Sequence, residues 1–423
     1  MNDVFNQFRR IFGAKLTRDT SVVLFGNLIS SSLAVVFTIL AARLLGPENW
    51  GIVAAIGSLL TILVALCDLG MTSALFRFVS KKWTEGDKKQ AEDVIKTIWL
   101  LRIVTVLLFA SVLLLFAGNL TQILLKINEP SFMIFVALGL IGALFIDFRI
   151  AESEAKQEWK KAAVFISLTN LLRVAGLFII GLNNLNLINV TFVFTGASVA
   201  AYILSLIVQR SPVGFVGNWQ KLIREVIPFS SYMGANRIAS AVASRIDVLL
   251  LIQMTGAYGA GIYGAANRLA IGVPLVLGSF ATVLAPQFAS ISNSKELSVF
   301  LKRSFGLSGI ITLGLLLGIL IAPLVIRFFG PAYVDSGVVL QLLFIAFIPA
   351  AISVPSVNFI IYYLKKPQVI TGLSLVQLVL VIAVNFLLIP KIGVYAPAIA
   401  LGLANLLVML VTFFVMWLKV KER

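Results

Sequence analysis

The sequence predicts an all-α integral membrane protein with twelve transmembrane helices in two six-helix lobes. Three observations lead to this fold class: 60% of the 423 residues are hydrophobic and 12% are charged, the apolar residues form runs long enough to cross a bilayer, and short polar segments separate these runs. A soluble domain carries about 25% charged residues. The composition therefore excludes a disordered chain, a disulfide-rich secreted module and an ordinary soluble enzyme.

Twelve apolar runs have approximately the length of about 20 residues that one membrane crossing requires. The predicted spans are 20–42, 51–74, 94–117, 131–151, 163–182, 189–209, 226–254, 262–290, 303–327, 337–363, 369–389 and 395–417.

Basic residues are distributed unevenly between the two sides that these spans define. Of the 34 Lys and Arg, 25 lie in the termini and loops of one side or in the span ends next to them, 4 lie likewise on the other side, and 5 lie deeper within the spans. Because cytoplasmic loops are enriched in Lys and Arg, both termini are expected in the cytoplasm. Confinement of the charge to short loops also argues against nucleic acid as a partner. Residues 1–19 are expected to form a basic amphipathic helix on the membrane surface or a frayed tail.

The chain contains no histidine and a single cysteine, Cys67. This excludes Ser–His–Asp and Cys–His catalysis, histidine-ligated zinc and an intrachain disulfide. No cofactor and no metal site are expected.

An internal repeat relates the two halves of the chain. An offset of 210 residues places Gly46 on Gly256 and Gly51 on Gly261, and both pairs lie in the outside turn between the first two spans of a half. Six spans separate the copies, so the repeat is parallel, as in transporters with a site between their halves. The predicted organisation is an N-lobe at 20–210, a cytoplasmic linker at 211–225, a C-lobe at 226–418 and a tail at 419–423.

Several ionisable residues lie inside the predicted spans. Each costs at least ~2.5 kcal/mol at a helix centre, so it faces the bundle interior and has a role. These residues are Asp68, Arg102, Asp147, Arg173, Arg237, Arg245, Asp247 and Arg268. Arg102 lies shallowly enough to reach the interface with its long side chain, and Asp147 can pair with the nearby Arg149.

The arginines outnumber the acids near them, which predicts a site for an anionic group, since guanidinium matches phosphate bidentately. The candidate substrate-binding residues are Arg173, Arg237, Arg245, Arg268, Asn170, Asn236 and Asn267. The alternative is a set of structural Arg–Asp or Arg–carbonyl pairs. Without histidine, Asp68 or Asp247 is the expected carrier of a coupling proton or sodium ion.

Short motifs suggest a family. Segments 45–51, 67–70 and 77–80 resemble the start of a prokaryotic polysaccharide flippase, and Gly261–Arg268 is similar to the entry to the eighth span in that family. The resemblance is to the polysaccharide transporter, or O-antigen (Wzx-type) flippase, branch of the multidrug/oligosaccharidyl-lipid/polysaccharide exporter superfamily. Gly70 and Arg268 match motif positions.

The resemblance implies two lobes around a central cavity that opens alternately to either side. The implied substrate is an undecaprenyl-diphosphate-linked oligosaccharide, moved between leaflets of a bacterial or archaeal cytoplasmic membrane during cell-surface polysaccharide synthesis. A cationic cavity would bind its diphosphate. Implied partners are membrane lipid, a proton or sodium ion, a polysaccharide polymerase and glycosyltransferases.

Two other functions remain open. A drug/cation antiporter of the related multidrug branch would share the fold but have a carboxylate-rich cavity. A membrane glycosyltransferase or polymerase would need an extramembrane acceptor loop or an acidic metal-binding motif, and neither is evident in the loops. A non-enzymatic transporter is therefore expected.

Overall fold

The computed structural model describes residues 14–184, 186–210, 212, 219–291 and 293–421. Every regular element within these ranges is helical, and none of the described residues forms a strand, which confirms the predicted all-α class. Residues 1–13 of the predicted amphipathic segment and part of the predicted linker 211–225 lie outside the described residues.

The α-helices are numbered here in chain order. They are α1 (Ala14–Asp68), α2 (Met71–Ala74), α3 (Ser80–Thr84), α4 (Lys88–Leu115), α5 (Ala117–Leu125), α6 (Ser131–Ala155), α7 (Trp159–Ile180), α8 (Leu187–Val208), α9 (Trp219–Ala270), α10 (Gly272–Ser290), α11 (Ser294–Ile326), α12 (Val334–Asn358), α13 (Pro367–Ile392) and α14 (Ala396–Lys421). Single π-helical turns follow α2 at Leu75–Val79 and α12 at Phe359–Tyr363.

Within the described ranges, nine helical segments are long and apolar enough to cross a membrane. Three of them contain 47, 69 and 53 residues, more than twice the ~20 residues of one crossing, and each covers two predicted spans. They are Val22–Asp68, Leu222–Ser290 and Pro367–Lys419. The chain is thus a helical integral membrane protein, and the count of twelve spans stays a prediction.

Large apolar side chains are exposed along these helices. Leu115, Ile179 and Ile207 are exposed to 79%, 83% and 81%. Soluble monomers rarely expose extensive apolar surface, so these are the faces expected to contact lipid. Burial by lipid explains how the chain tolerates them.

Glycine breaks both α1 and α9 at equivalent positions. Gly46 has φ 74° and ψ 168°, and Gly256 has φ 80° and ψ −176°. This backbone conformation is essentially restricted to glycine, because other residues clash through their Cβ atoms. The two breaks are 210 residues apart, so the backbone reproduces the offset of the predicted repeat.

Contacts divide the chain into two compact units. Unit 1 contains the described residues up to Leu44 together with Ile56–Arg245, and unit 2 contains Leu45–Ala55 and the chain from Ile246 onward. All three boundaries along the chain, at 44/45, 55/56 and 245/246, fall inside α1 or α9. The lobes predicted at 20–210 and 226–418 stay a prediction.

In unit 2, the two helical segments that follow the glycine breaks touch through their backbones. A Cβ atom on Gly51 would lie 1.8 Å from the carbonyl oxygen of Ala257, and one on Gly261 would lie 1.8 Å from the carbonyl oxygen of Pro47. The contact is reciprocal under the 210-residue offset. Only glycine permits this approach, which explains the second glycine of each repeat.

A second glycine crossing joins the turn after α1 to the first half of α9 in unit 1. The predicted span 51–74 is interrupted here, because α1 ends at Asp68 and both Leu69 and Gly70 have positive φ, at 44° and 80°. A Cβ on Gly70 would lie 2.1 Å from the Ser230 carbonyl oxygen, and one on Gly234 would lie 2.5 Å from the Leu69 carbonyl carbon. The turn and α9 are therefore in direct backbone contact.

Apolar side chains reinforce this attachment of α9 in unit 1. Val226 is 1% exposed and belongs to the core around Met71 and Val94. Phe229 packs edge-on against Phe78 at 6.0 Å between ring centroids. The first half of α9 is thus anchored to unit 1 by both side chains and backbone.

The reciprocal crossing in unit 2 predicts that Gly51→Ala and Gly261→Ala each destabilise the protein. Overpacking a tight contact costs about 1–3 kcal/mol, so the melting temperature measured in detergent should fall. Gly314 lies in α11, where an added Cβ atom would have no neighbouring atom within 4 Å, so Gly314→Ala should leave stability unchanged or raise it by up to ~1 kcal/mol. Equal melting temperatures for all three variants would contradict the prediction.

Candidate functional site

Asp68 is the centre of a buried polar network in unit 1. Its side chain is 1% exposed and accepts hydrogen bonds from the Thr72 amide at 3.2 Å and the Thr72 hydroxyl at 2.7 Å. Such bonds satisfy donors at the start of a helix that would otherwise be unpaired. Because the chain breaks at Leu69–Gly70, the carboxylate of Asp68, the last residue of α1, can accept hydrogen bonds from Thr72 in α2.

Arg102 of α4 is fully buried and binds the same carboxylate. Its Nη2 donates to Asp68 Oδ1 and, at 2.6 Å, to the Thr72 hydroxyl, while its Nη1 donates to the Leu144 carbonyl of α6 at 2.9 Å. The guanidinium also lies 5.3 Å from the ring centroid of Phe148. Arg102 therefore ties α4 to α6 and to the end of α1.

Arg237 of α9 binds Asp68 from another direction. Its Nη1 donates to Asp68 Oδ2 at 2.8 Å, and its Nη2 lies 3.8 Å from Oδ2 of Asp147 on α6. The side chains of Arg237 and Asp147 are 33% and 41% exposed, whereas Arg102 is 0% exposed. The network thus has a sealed end at Arg102 and an accessible end at Arg237.

Two arrangements that the sequence left open are not adopted. Arg102 does not extend to the interface, because it is enclosed by α1, α4 and α6, where Asp68 supplies its counter-charge. Asp147 faces Arg237, and Arg149 pairs with Glu152 at 2.8 Å. The sequence did carry a signal for the Asp68–Arg102 pair, namely their similar depth. At 1.5 Å per residue, the two residues lie about 9 and 12 Å from the predicted cytoplasmic ends of their spans.

Arg173 of α7 joins a network of neutral groups in unit 1. Its Nε donates to the Phe194 carbonyl at 3.0 Å and its Nη1 to Asn170 Oδ1 at 3.1 Å. It stacks over the Phe194 ring at 4.2 Å, and Asn170 donates in turn to the Ser30 hydroxyl at 2.9 Å. Arg173 and Asn170 are therefore adjacent, as parts of a link between α1, α7 and α8.

Arg245 and Asn236 also belong to α9 and unit 1. Asn236 is exposed, and Arg245 is partly buried. Among the described residues, the Arg245 Nε is buried and has no hydrogen-bond partner. An unsatisfied buried N–H costs about 1–3 kcal/mol, which a bound acceptor could offset.

The remaining candidates lie in unit 2. Asp247 accepts a hydrogen bond from the Tyr263 hydroxyl and one from the Val248 amide at 2.8 Å. Asn267 and Arg268 are partly buried near the end of α9. The Asp247–Tyr263 contact links the two sides of the Gly256 break.

Long apolar helices that carry buried and half-buried arginines define a multispanning membrane protein. Solved structures with this fold include an inward-facing multidrug resistance MATE family transporter of the MOP superfamily, with TM-score 0.72 and 14% identity over 95% of this chain and 98% of that chain. The lipid II flippase MurJ in an inward closed conformation has TM-score 0.71 and 16% identity over 93% of this chain and 87% of that chain. These likenesses concern the fold.

The sequence comparison identifies the family. The model of a family described as "Polysaccharide biosynthesis protein" matches residues 16–292, more than half of the chain. The chain therefore belongs to the polysaccharide biosynthesis protein family, which confirms the resemblance found in its motifs. A Shigella flexneri relative named "Putative O-antigen transporter" is 23% identical over 391 residues, 89% of this chain and 92% of the relative.

The buried network predicts that Asp68→Asn is strongly destabilising. Removing one member of a buried ion pair costs about 3–5 kcal/mol, because the remaining charge is uncompensated. The double variant Asp68→Asn/Arg102→Met also removes the buried guanidinium that Asp68→Asn leaves without a counter-charge. It should therefore recover part of the lost stability. The measurement is the free energy of SDS-induced unfolding in mixed micelles.

The exposed pair Lys81–Glu85, at 3.9 Å, provides a control of the same chemistry. Glu85→Gln should cost less than ~1 kcal/mol, since solvent screens such pairs. If Asp68→Asn were as stable as Glu85→Gln, the network would not stabilise the fold.

Proposed function

We propose that the protein is a flippase that moves an undecaprenyl-diphosphate-linked oligosaccharide from the cytoplasmic to the outer leaflet of a bacterial or archaeal cytoplasmic membrane. The observation that carries the proposal is Arg237, a membrane-embedded arginine whose side chain is 33% exposed. Membership of the polysaccharide biosynthesis family and relatives named as O-antigen transporters support a lipid-linked glycan as the substrate.

Arg237 has donors available for a diphosphate. A guanidinium has five N–H groups, and within the described residues Arg237 uses one of them, in its bond to Asp68. The planar fork of the others matches phosphate oxygens bidentately. Arg237 is thus held in place by one hydrogen bond while its remaining donors stay available for the diphosphate.

The other candidate residues extend this site in the proposal. Arg245 offers a buried Nε without a partner among the described residues, and Arg173 and Arg268 add positive charge. Asn170, Asn236 and Asn267 would bind sugar hydroxyls, to which an amide can both donate and accept. The headgroup would cross ~30 Å of hydrocarbon as the site opens alternately to each side, while the polyprenyl tail stays in lipid.

The contacts of the two candidate ion carriers favour different roles. Guanidinium groups only donate hydrogen bonds, and those of Arg102 and Arg237 already occupy both carboxylate oxygens of Asp68. The Tyr263 hydroxyl at Asp247 can donate to a carboxylate or accept from a carboxylic acid. We therefore place proton or sodium coupling at Asp247 and a structural role at Asp68.

A drug/cation antiporter is the second candidate, favoured by the fold shared with the MATE transporter. Its substrates are cations, which the arginines would repel. If proteoliposomes that contain the protein exported a cationic dye and transferred no lipid-linked glycan, this function would be favoured. Synthesis of glycan from nucleotide sugar in such proteoliposomes would instead indicate an enzyme.

We predict that Arg237→Ala reduces transfer of a polyprenyl-diphosphate oligosaccharide between leaflets of proteoliposomes by at least tenfold. A hydrogen bond to a charged group contributes about 1.5–3 kcal/mol, so removal of the Arg237 guanidinium should weaken binding of the diphosphate by about this amount. Arg237→Lys should retain part of the activity, because it keeps the charge but loses the bidentate geometry. The exposed Arg303 serves as the control, and Arg303→Ala should transport as wild type does. Full transport by Arg237→Ala would reject this assignment.

We further predict that Asp247→Asn uncouples transport from the ion gradient. Wild type should accumulate labelled glycolipid in one leaflet when a proton or sodium gradient is imposed, and the variant should only equilibrate the two leaflets, because an amide does not bind the ion as a carboxylate does. Asp335→Asn, at an exposed acid in the first turn of α12, is the control. Gradient-driven accumulation by Asp247→Asn would place the coupling elsewhere.

A further inference from the structure

Asp147 is bound differently from the other acid of the unit 1 network. Asp68 accepts hydrogen bonds from Thr72, Arg102 and Arg237. Asp147 accepts none within the described part of the chain, and its closest cationic atom is Arg237 Nη2 at 3.8 Å. That distance exceeds the 2.7–3.2 Å of an N–H···O bond.

This geometry gives Asp147 no evident structural task. A carboxylate that holds helices together is buried and hydrogen-bonded, as Asp68 is. Asp147 is 41% exposed, on the accessible side of Arg237. Its charge nevertheless acts on any anion that approaches Arg237, because partly buried charges a few ångströms apart are weakly screened.

We propose that Asp147 competes with the diphosphate of the substrate for Arg237 and thereby promotes release of the substrate. This inference rests on the proposed function. A diphosphate bound at Arg237 displaces the ion pair with Asp147, and the negative charge of Asp147 then repels the bound group. When the site opens to the outer leaflet, the carboxylate replaces the departing anion.

Such a competitor meets a requirement of transport. A site must bind tightly enough to select its substrate and weakly enough to release it. Most of the Arg237 donors are available to a bound anion. Without a competing carboxylate, Arg237 would bind a multiply charged diphosphate too tightly to release it. Asp147 limits that affinity without taking part in the hydrogen bonds that hold α1, α4, α6 and α9 together.

The test compares Asp147→Asn with wild type in the full-length protein. Binding of fluorescent farnesyl diphosphate is measured in nanodiscs, and turnover of a polyprenyl-diphosphate oligosaccharide is measured in proteoliposomes. The variant should bind the probe about tenfold more tightly, as typical couplings between neighbouring sites predict, and should turn over more slowly. Its melting temperature should change little, since the variant loses no hydrogen bond and only a solvent-accessible ion pair, which contributes little to stability. Asp147→Glu should restore both wild-type values.

Asp335→Asn removes one negative charge from an exposed position and should change neither affinity nor turnover. Unchanged or weaker binding by Asp147→Asn would overturn the inference, and so would a lowered melting temperature, which would make Asp147 structural. If wild type itself bound no farnesyl diphosphate and moved no glycolipid, the proposed function would fail instead.

Discussion

The pairing of Asp68 with two guanidinium groups is the interaction on which unit 1 depends. A guanidinium inside the membrane requires a counter-charge and hydrogen-bond acceptors, and Asp68 supplies both to Arg102 and Arg237. Its position at a helix break lets it also bind Thr72. Three membrane-spanning helices, α1, α4 and α9, therefore meet at one carboxylate, and α6 joins them through the Leu144 carbonyl.

Close backbone contact complements this electrostatic link. Lipid tails are as apolar as leucine side chains, so helices in a membrane gain little from burying apolar surface and rely on tight packing through small residues. Gly70 and Gly234 allow the turn after α1 to touch α9 in unit 1, and Gly51 and Gly261 allow the reciprocal crossing in unit 2. The glycines set how closely the helices approach, and in unit 1 the charges fix which side chains then meet.

A single network thus combines a fixed part with an accessible part. Arg102 is sealed and donates from both of its terminal nitrogens to protein groups, whereas Arg237 is anchored by one bond and keeps most of its donors. In our proposal, this division lets the protein present a positive charge to its substrate without losing the charge pair that holds its helices. In our proposal, Asp147 then adjusts how strongly that charge holds an anion.

Features that depend on local properties can be predicted from the amino-acid sequence. Apolar runs specify membrane-spanning helices, and the glycines at an offset of 210 residues mark equivalent breaks, because positive φ is a property of a single residue. The sequence also indicated that the buried arginines need partners. The identity of those partners depends on the three-dimensional packing: Asp68 meets Arg102 and Arg237, 34 and 169 residues away, and Asp147 meets Arg237 instead of its neighbour Arg149. Pairing depends on how helices rotate and stack against each other, and no local pattern encodes that arrangement.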